Sequence, residues 1–146
     1  MATVLAFGCF DILHYGHLQY LRKAKALGGR LVVVVARDKT ALRIKGRQPV
    51  FDEVARLEMV RSLKLVDEAV LGHAGGEKYG IIGELRPDFI ALGYDQREDD
   101  SALRAWLDAN GLKRTEVVRI RHVENEEIFK SSKALEKLKR ALLKEL

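Results

Sequence analysis

Residues 31–35 read Leu-Val-Val-Val-Val, an unbroken apolar and largely β-branched run between Arg30 and Ala36-Arg37. A strand that is apolar at every position needs cover on both faces, as in a parallel sheet flanked by helices. The rest of the chain alternates to match. Strand candidates are Thr3–Phe7, Arg30–Ala36, Glu68–Leu71, Phe89–Leu92 and Glu116–Ile120, with helical periodicity between them. Leu18, Leu21, Ala24 and Leu27 share a face that Gly28-Gly29 closes. Leu57, Val60 and Leu63 repeat the scheme within 56–63, as do Leu103, Trp106 and Leu107 within 102–109. A last helix over 132–146 is predicted to turn Leu135, Leu138 and Leu142 inward. Such alternation predicts an α/β chain: one Rossmann-like domain over 1–146, with a five-stranded parallel sheet and helices on both faces. Ligands in such sheets sit beyond the carboxyl ends of the strands. Gly8, Arg37, Gly72 and Gly93 each follow a strand candidate and are expected on that rim. Residues 38–52 form the one long connection, and its basic character predicts a functional loop.

The length of 146 residues suits a single core. No apolar run approaches the roughly 20 residues of a membrane span, so no membrane association is expected. The first residues lack a basic segment and cleavage site, so no signal peptide is read. One cysteine cannot form an internal disulfide, which fits a cytoplasmic protein. A net charge of +5 suits anionic ligands. Its basic residues are spread without aromatic interleaving or a groove-reading motif, so nucleic acid is not the expected partner.

The stretch Gly8-Cys9-Phe10-Asp11-Ile12-Leu13-His14-Tyr15-Gly16-His17 joins the first strand to the first helix. A strand, a glycine-bearing turn and a helix start direct backbone N–H groups and the positive helix end toward an anion. His14 and His17, three apart, project from one face and can each donate an N–H to phosphoryl oxygens. Gly16 leaves room for a nucleotide. Phe10 reads equally as core or as ligand-facing. Asp11 either orients the turn through an Asx-type bond or helps to hold a cation.

The spelling G-x-F-D-x-x-H-x-G-H resembles the signature of the nucleotidyltransferase superfamily that contains cytidylyltransferases and adenylyltransferases. Beyond it, Val35-Ala36-Arg37-Asp38-Lys39-Thr40, Lys45-Gly46-Arg47-Gln48-Pro49 and Leu92-Gly93-Tyr94-Asp95-Gln96 look like the archaeal FAD synthases. Those are FMN adenylyltransferases built on the scaffold of glycerol-3-phosphate cytidylyltransferase. The resemblance implies attack by a phosphate monoester on the α-phosphorus of ATP, with FMN as acceptor and release of pyrophosphate. It also implies a homodimer. A phosphate acceptor is already largely ionised near neutral pH, so the site needs alignment and positive charge rather than a base. Mg²⁺ or another divalent cation is expected with the triphosphate, its protein ligands unassigned, since no Cys/His set has zinc spacing.

Carried over residue by residue, the resemblance gives His14, His17 and Lys45 catalytic positions, with His17 nearest the α-phosphoryl group. Gly8, Cys9, Phe10, Asp11 and Gly16 bind the nucleotide from the first turn. Gly93, Tyr94, Asp95 and Gln96 bind its base and ribose; a plain Gly/Asp turn is the alternative. Ser131, Ser132 and Lys133 open the last helix and are expected around the β- and γ-phosphates, simple capping being the alternative. That element matches the family loosely, because Phe129 replaces an isoleucine and Lys130 intrudes. Arg119 and Arg121 precede it. Asp38, Arg47, Arg56 and Arg121 are expected at the acceptor. For Asp38 a helix cap is the alternative, for Arg47 a solvated loop, and for Arg56 an i,i+4 pair with Asp52. Two other functions compete. Glycerol-3-phosphate cytidylyltransferase would use CTP and a small acceptor with the same chemistry, and a nucleotide-binding module would bind without turnover.

Overall fold

A computed structural model describes residues 1–75, 79–94, 96–121 and 131–145. The described strands are β1 (Ala2–Gly8), β2 (Gly29–Val35), β3 (Glu68–Leu71), β4 (Phe89–Gly93) and β5 (Glu116–Ile120). The helices are α1 (Tyr15–Gly28), α2 (Asp38–Lys45), α3 (Glu53–Arg61), α4 (Gly80–Leu85), α5 (Asp100–Ala109) and α6 (Ser131–Glu145). All strand pairs are parallel, in the order β3-β2-β1-β4-β5.

Side-chain alternation divides the core into two layers. Val4, Ala6, Leu31, Val33, Val35 and Ala91 pack with Tyr20, Leu21 and Ala24 of α1 and Val60 of α3. Leu5, Val32, Val34, Ile90 and Leu92 point the other way, onto Ile81 and Ile82 of α4 and Leu103 and Leu107 of α5. The all-apolar run 31–35 is therefore buried on both faces, the outcome its composition requires.

Strand order reverses beside β1, since the chain passes first to β2 on one side and later to β4 on the other. Pairing of β1 with β4 ends at Ala6–Ala91, so the two strands part at their carboxyl ends. This crevice is where an open parallel sheet accepts ligands.

Two expectations about elements are corrected. The connection 38–52 begins as a helix, α2, and only its second half is loop. The leucine stripe of α6 does not face inward: Leu138 and Leu142 are each 56% exposed. A 3.6-residue period shows which side chains share a face and not whether anything lies opposite that face.

Candidate active site

The turn after β1 delivers two imidazoles to the start of α1. His14 is the N-cap, and its Nδ1 accepts the Gly16 N–H at 3.1 Å. The His17 Nδ1 accepts the His14 N–H at 3.1 Å. Together they form a capping box in which histidines replace the usual hydroxyl and carboxylate. A ring nitrogen that accepts a hydrogen bond carries no proton, so each neutral imidazole bears its N–H at Nε2. The rings stack with centroids 3.9 Å apart and an interplanar angle of 28°. Burial first, then electrostatic coupling to His14 and to Lys45, press the His17 pKa down to about 3 against an opposing Asp11. His17 is thus a neutral donor throughout the working range, unsuited to proton transfer.

Strain is stored in the turn itself. Phe10 and Ile12 have φ of 55° and 49°, conformations that cost non-glycine residues roughly 1–3 kcal/mol each. The first folds the Phe10 ring back over Gly8, where a Cβ would lie 2.6 Å from the ring. Only glycine fits there. Phe10 is 2% exposed and sets its ring against His17 at 5.4 Å and 63°. Of the two readings of Phe10, the side chain takes the core one: its ring is buried against the His17 imidazole.

Neighbouring segments hold this turn. Asp11 accepts backbone N–H groups from Val50 at 2.7 Å and Phe51 at 2.9 Å, which binds the end of the long connection to the motif. Arg56, 0% exposed, donates Nη1 to the carbonyls of Cys9 at 2.8 Å and Ala36 at 2.7 Å. Its Nε reaches the Phe51 carbonyl at 2.9 Å, and its Nη2 the Asp38 carboxylate at 2.8 Å. The Arg56 guanidinium is thus enclosed and directed at protein oxygens, the arrangement of a brace. It does not pair with Asp52, which caps α3 by accepting the Ala55 N–H at 2.8 Å.

The basic segment closes on the same turn. Gly46 ends α2 in the left-handed region, φ 73°, and reverses the chain after Lys45. Lys45 and Arg47 then line one small pocket with Cys9, Asp11, Gln48 and Pro49. Two cations thus stand at the turn that leads into α1, and Lys45 is close enough to act electrostatically on His17.

Across the crevice, side chains complete what the parting strands leave open. The Gln96 Nε2 donates to the Phe7 carbonyl at 2.6 Å while its Oε1 accepts the Gly93 N–H at 3.0 Å. The Tyr20 hydroxyl donates to the Ala91 carbonyl at 2.6 Å. Arg119 donates to the carbonyls of Gly93, Gln96 and Glu98 at 2.8, 2.7 and 3.0 Å and pairs with Asp100. The Gln96 carboxamide bridges β1 and β4. Arg119 fixes the loop after β4. Neither role has a signature in the sequence, because both depend on where backbone groups lose their strand partners.

The cytidylyltransferase-like family model matches residues 5–138. The chain belongs to that family. An FAD synthase of Thermoplasma volcanium is 49% identical over 120 residues, 82% of each chain. An FAD synthase of Methanobrevibacter smithii is 43% identical over 143 residues, 96% of this chain and 92% of that one. A crystal structure described as a lipopolysaccharide core biosynthesis protein from Thermoplasma volcanium superposes with a TM-score of 0.79. It is 47% identical and covers 85% of this chain and 99% of its own.

Within this cytidylyltransferase-like frame, Gly8, Cys9, Asp11, His14, Gly16, His17, Lys45 and Arg47 gather at the start of α1. Asp38 reaches the same region through its bond to Arg56. Gly93 and a half-buried Tyr94 stand across the crevice, at the end of β4. Asp95 lies outside the described residues. Ser131 and Ser132 open α6, and their side chains lie outside the described set as well. Lys133 and Arg121 are exposed.

Proposed function

We propose that this chain is an FMN adenylyltransferase, an FAD synthase, converting ATP and FMN to FAD and pyrophosphate. The observation that carries this is the convergence of a positive Lys45 with two imidazoles whose tautomers are set by helix capping. The FAD synthase names of relatives 43% and 49% identical to the chain supply the acceptor.

An FMN phosphate oxygen attacks the α-phosphorus of ATP, forming one O–P bond as the bond to the bridging β-oxygen breaks and pyrophosphate leaves. No proton has to be removed, because a phosphate monoester with a second pKa of about 6 is mostly dianionic at neutral pH. Two anions must approach, and charge grows on the equatorial oxygens in the transition state. The Nε2–H donors of His14 and His17, the Lys45 ammonium and the N-terminal N–H groups of α1 are suited to meet that charge. Because the imidazoles are oriented beforehand by their Nδ1 bonds, little reorganisation accompanies the reaction.

Mg²⁺ would neutralise phosphate charge when bound to the triphosphate. Among the described residues no group of three His, Cys, Asp or Glu could hold a metal. Mg²⁺ bound to a triphosphate keeps several waters and takes one or two carboxylates, and Asp11 is the carboxylate that lines the pocket. A homodimer and a cytoplasmic setting complete the proposal. The unpaired Cys9 supports the second, and light scattering would read the first. No helix of the described residues is long and apolar enough to cross a membrane.

The test is turnover of the purified protein with ATP or CTP against FMN or glycerol 3-phosphate. FAD from ATP and FMN is expected; turnover with CTP alone would overturn the flavin assignment.

A further inference from the structure

We propose that Val50 and Phe51 form the platform on which the acceptor's fused ring system lies, which makes them the residues that select a flavin over a small polar phosphate. The inference rests on the FMN assignment above and extends it to the half of the acceptor that carries no charge.

FMN is a molecule of two chemistries, a dianionic phosphate and a flat, largely apolar ring, joined by a ribityl chain. The segment after α2 presents the same two chemistries in the same order. Lys45 and Arg47 line the small pocket beside the motif, and Pro49 forms part of its wall. Val50 and Phe51 follow immediately, 62% and 39% exposed. Single exposed apolar residues need no explanation. Here five large ones, Leu42, Ile44, Val50, Phe51 and Val54, fall within residues 42–54.

The two central members of that set are also fixed. Asp11 accepts both of their backbone N–H groups, at 2.7 and 2.9 Å, from within the motif that holds the imidazoles. Arg56 binds the Phe51 carbonyl at 2.9 Å. The backbone is therefore held from both sides, by Arg56 and by the pocket-lining Asp11, so little further ordering of it is needed on binding. A glycerol phosphate has no apolar surface to cover the two side chains. An isoalloxazine ring does, and an aromatic side chain is a good stacking partner for it.

Truncating these side chains leaves the backbone bonds to Asp11 and Arg56 in place, so the platform can be removed without releasing the loop. FAD formation should be measured with FMN and ATP varied separately, alongside quenching of FMN fluorescence on binding. Phe51→Ala is expected to raise the FMN KM and Kd about tenfold, equivalent to about 1.4 kcal/mol. The ATP KM should stay within about twofold and kcat at saturating FMN should be retained. Phe51→Tyr should restore FMN affinity, and Val50→Ser should weaken it severalfold. Should Phe51→Ala melt early, the more exposed Val50→Ser and the ring-bearing Phe51→Tyr decide the matter. If the wild type makes FAD and neither truncation moves the FMN KM or Kd, the platform is refuted while the adenylyltransferase assignment stands. If the wild type makes no FAD, both are overturned.

Discussion

Replacing Arg56 separates a structural brace from a substrate contact, two roles that both fit an arginine near a phosphate site. In the folded protein its guanidinium makes four bonds, to the carbonyls of Phe51, Cys9 and Ala36 and to the Asp38 carboxylate, at 2.9, 2.8, 2.7 and 2.8 Å. Hydrogen bonds from a charged donor contribute roughly 1.5–3 kcal/mol each, but they do not add, because water enters a vacated site. The Asp38 side chain is 32% exposed, so its carboxylate is rehydrated once the partner is gone, and the surviving loss is set mainly by three stranded carbonyls. Removing one member of a buried pair costs about 3–5 kcal/mol. Arg56→Ala is therefore expected to lose about 4 kcal/mol, which for a domain of this size lowers Tm by roughly 8–16 °C. Arg56→Lys keeps the charge but loses the planar fork, and about 2–3 kcal/mol is expected. Urea and thermal melts give the stability, and FAD formation well below the melt gives the activity. An Arg56→Ala protein within about 1 kcal/mol of wild type, yet with an acceptor KM raised tenfold (about 1.4 kcal/mol), would refute the brace and make Arg56 a phosphate ligand.

His17→Ala should abolish turnover while ATP affinity, read by calorimetry, stays within about tenfold, or 1.4 kcal/mol. His14→Ser retains a good N-cap and loses only the imidazole, so Tm should move by no more than about 2–4 °C while kcat falls more than tenfold. Gly8→Ala drives a Cβ into the Phe10 ring at 2.6 Å; a loss of about 1–3 kcal/mol in a urea melt is expected, with reduced kcat as His17 is displaced. With the folded His17 pKa near 3 and an ordinary value of 6.5, the unfolded chain binds the extra proton between those limits. Stability is thus unaffected above pH 6.5 and falls as pH drops below it, by about 1.4 kcal/mol per unit for this one group. The pH dependence of unfolding free energy should be shallower in His17→Asn by that amount.

Much of the fold is written in local pattern. The run 31–35 and the alternation around it specify a parallel sheet, and the observed strand bounds differ from those expected by one residue or less. α2 escaped because of its eight residues only Ala41 is buried, so no apolar stripe marks it. α4 has six residues, too few to show a period. The two histidines were legible because glycine, aspartate and imidazole recur at a spacing that only one local geometry serves. The enclosure of Arg56 was not, since it depends on carbonyls at positions 9, 36 and 51 converging from three segments. The bridge made by Gln96 is illegible for a related reason: its carboxamide substitutes for strand pairing that stops at Ala6–Ala91.

Helix capping and phosphate chemistry share one set of bonds in this site. An N-cap is ordinarily a serine or aspartate, whose acceptor oxygen satisfies an orphan N–H and has no further task. An imidazole can accept at Nδ1 only by holding its proton at Nε2, so the act of capping prepares the opposite ring edge as a donor. Stacking at 3.9 Å and burial beside Lys45 then make protonation unfavourable, which keeps Nδ1 available to the cap. A charged His17 would lose its bond to the His14 N–H and loosen the first turn of α1 together with the ring proposed to act on the phosphate. The low pKa is thus a requirement of the geometry. The proposed catalysis relies on donors already in place, and the strained turn at Phe10 and Ile12 is held by Asp11 and Arg56 so that those donors stay where the helix begins.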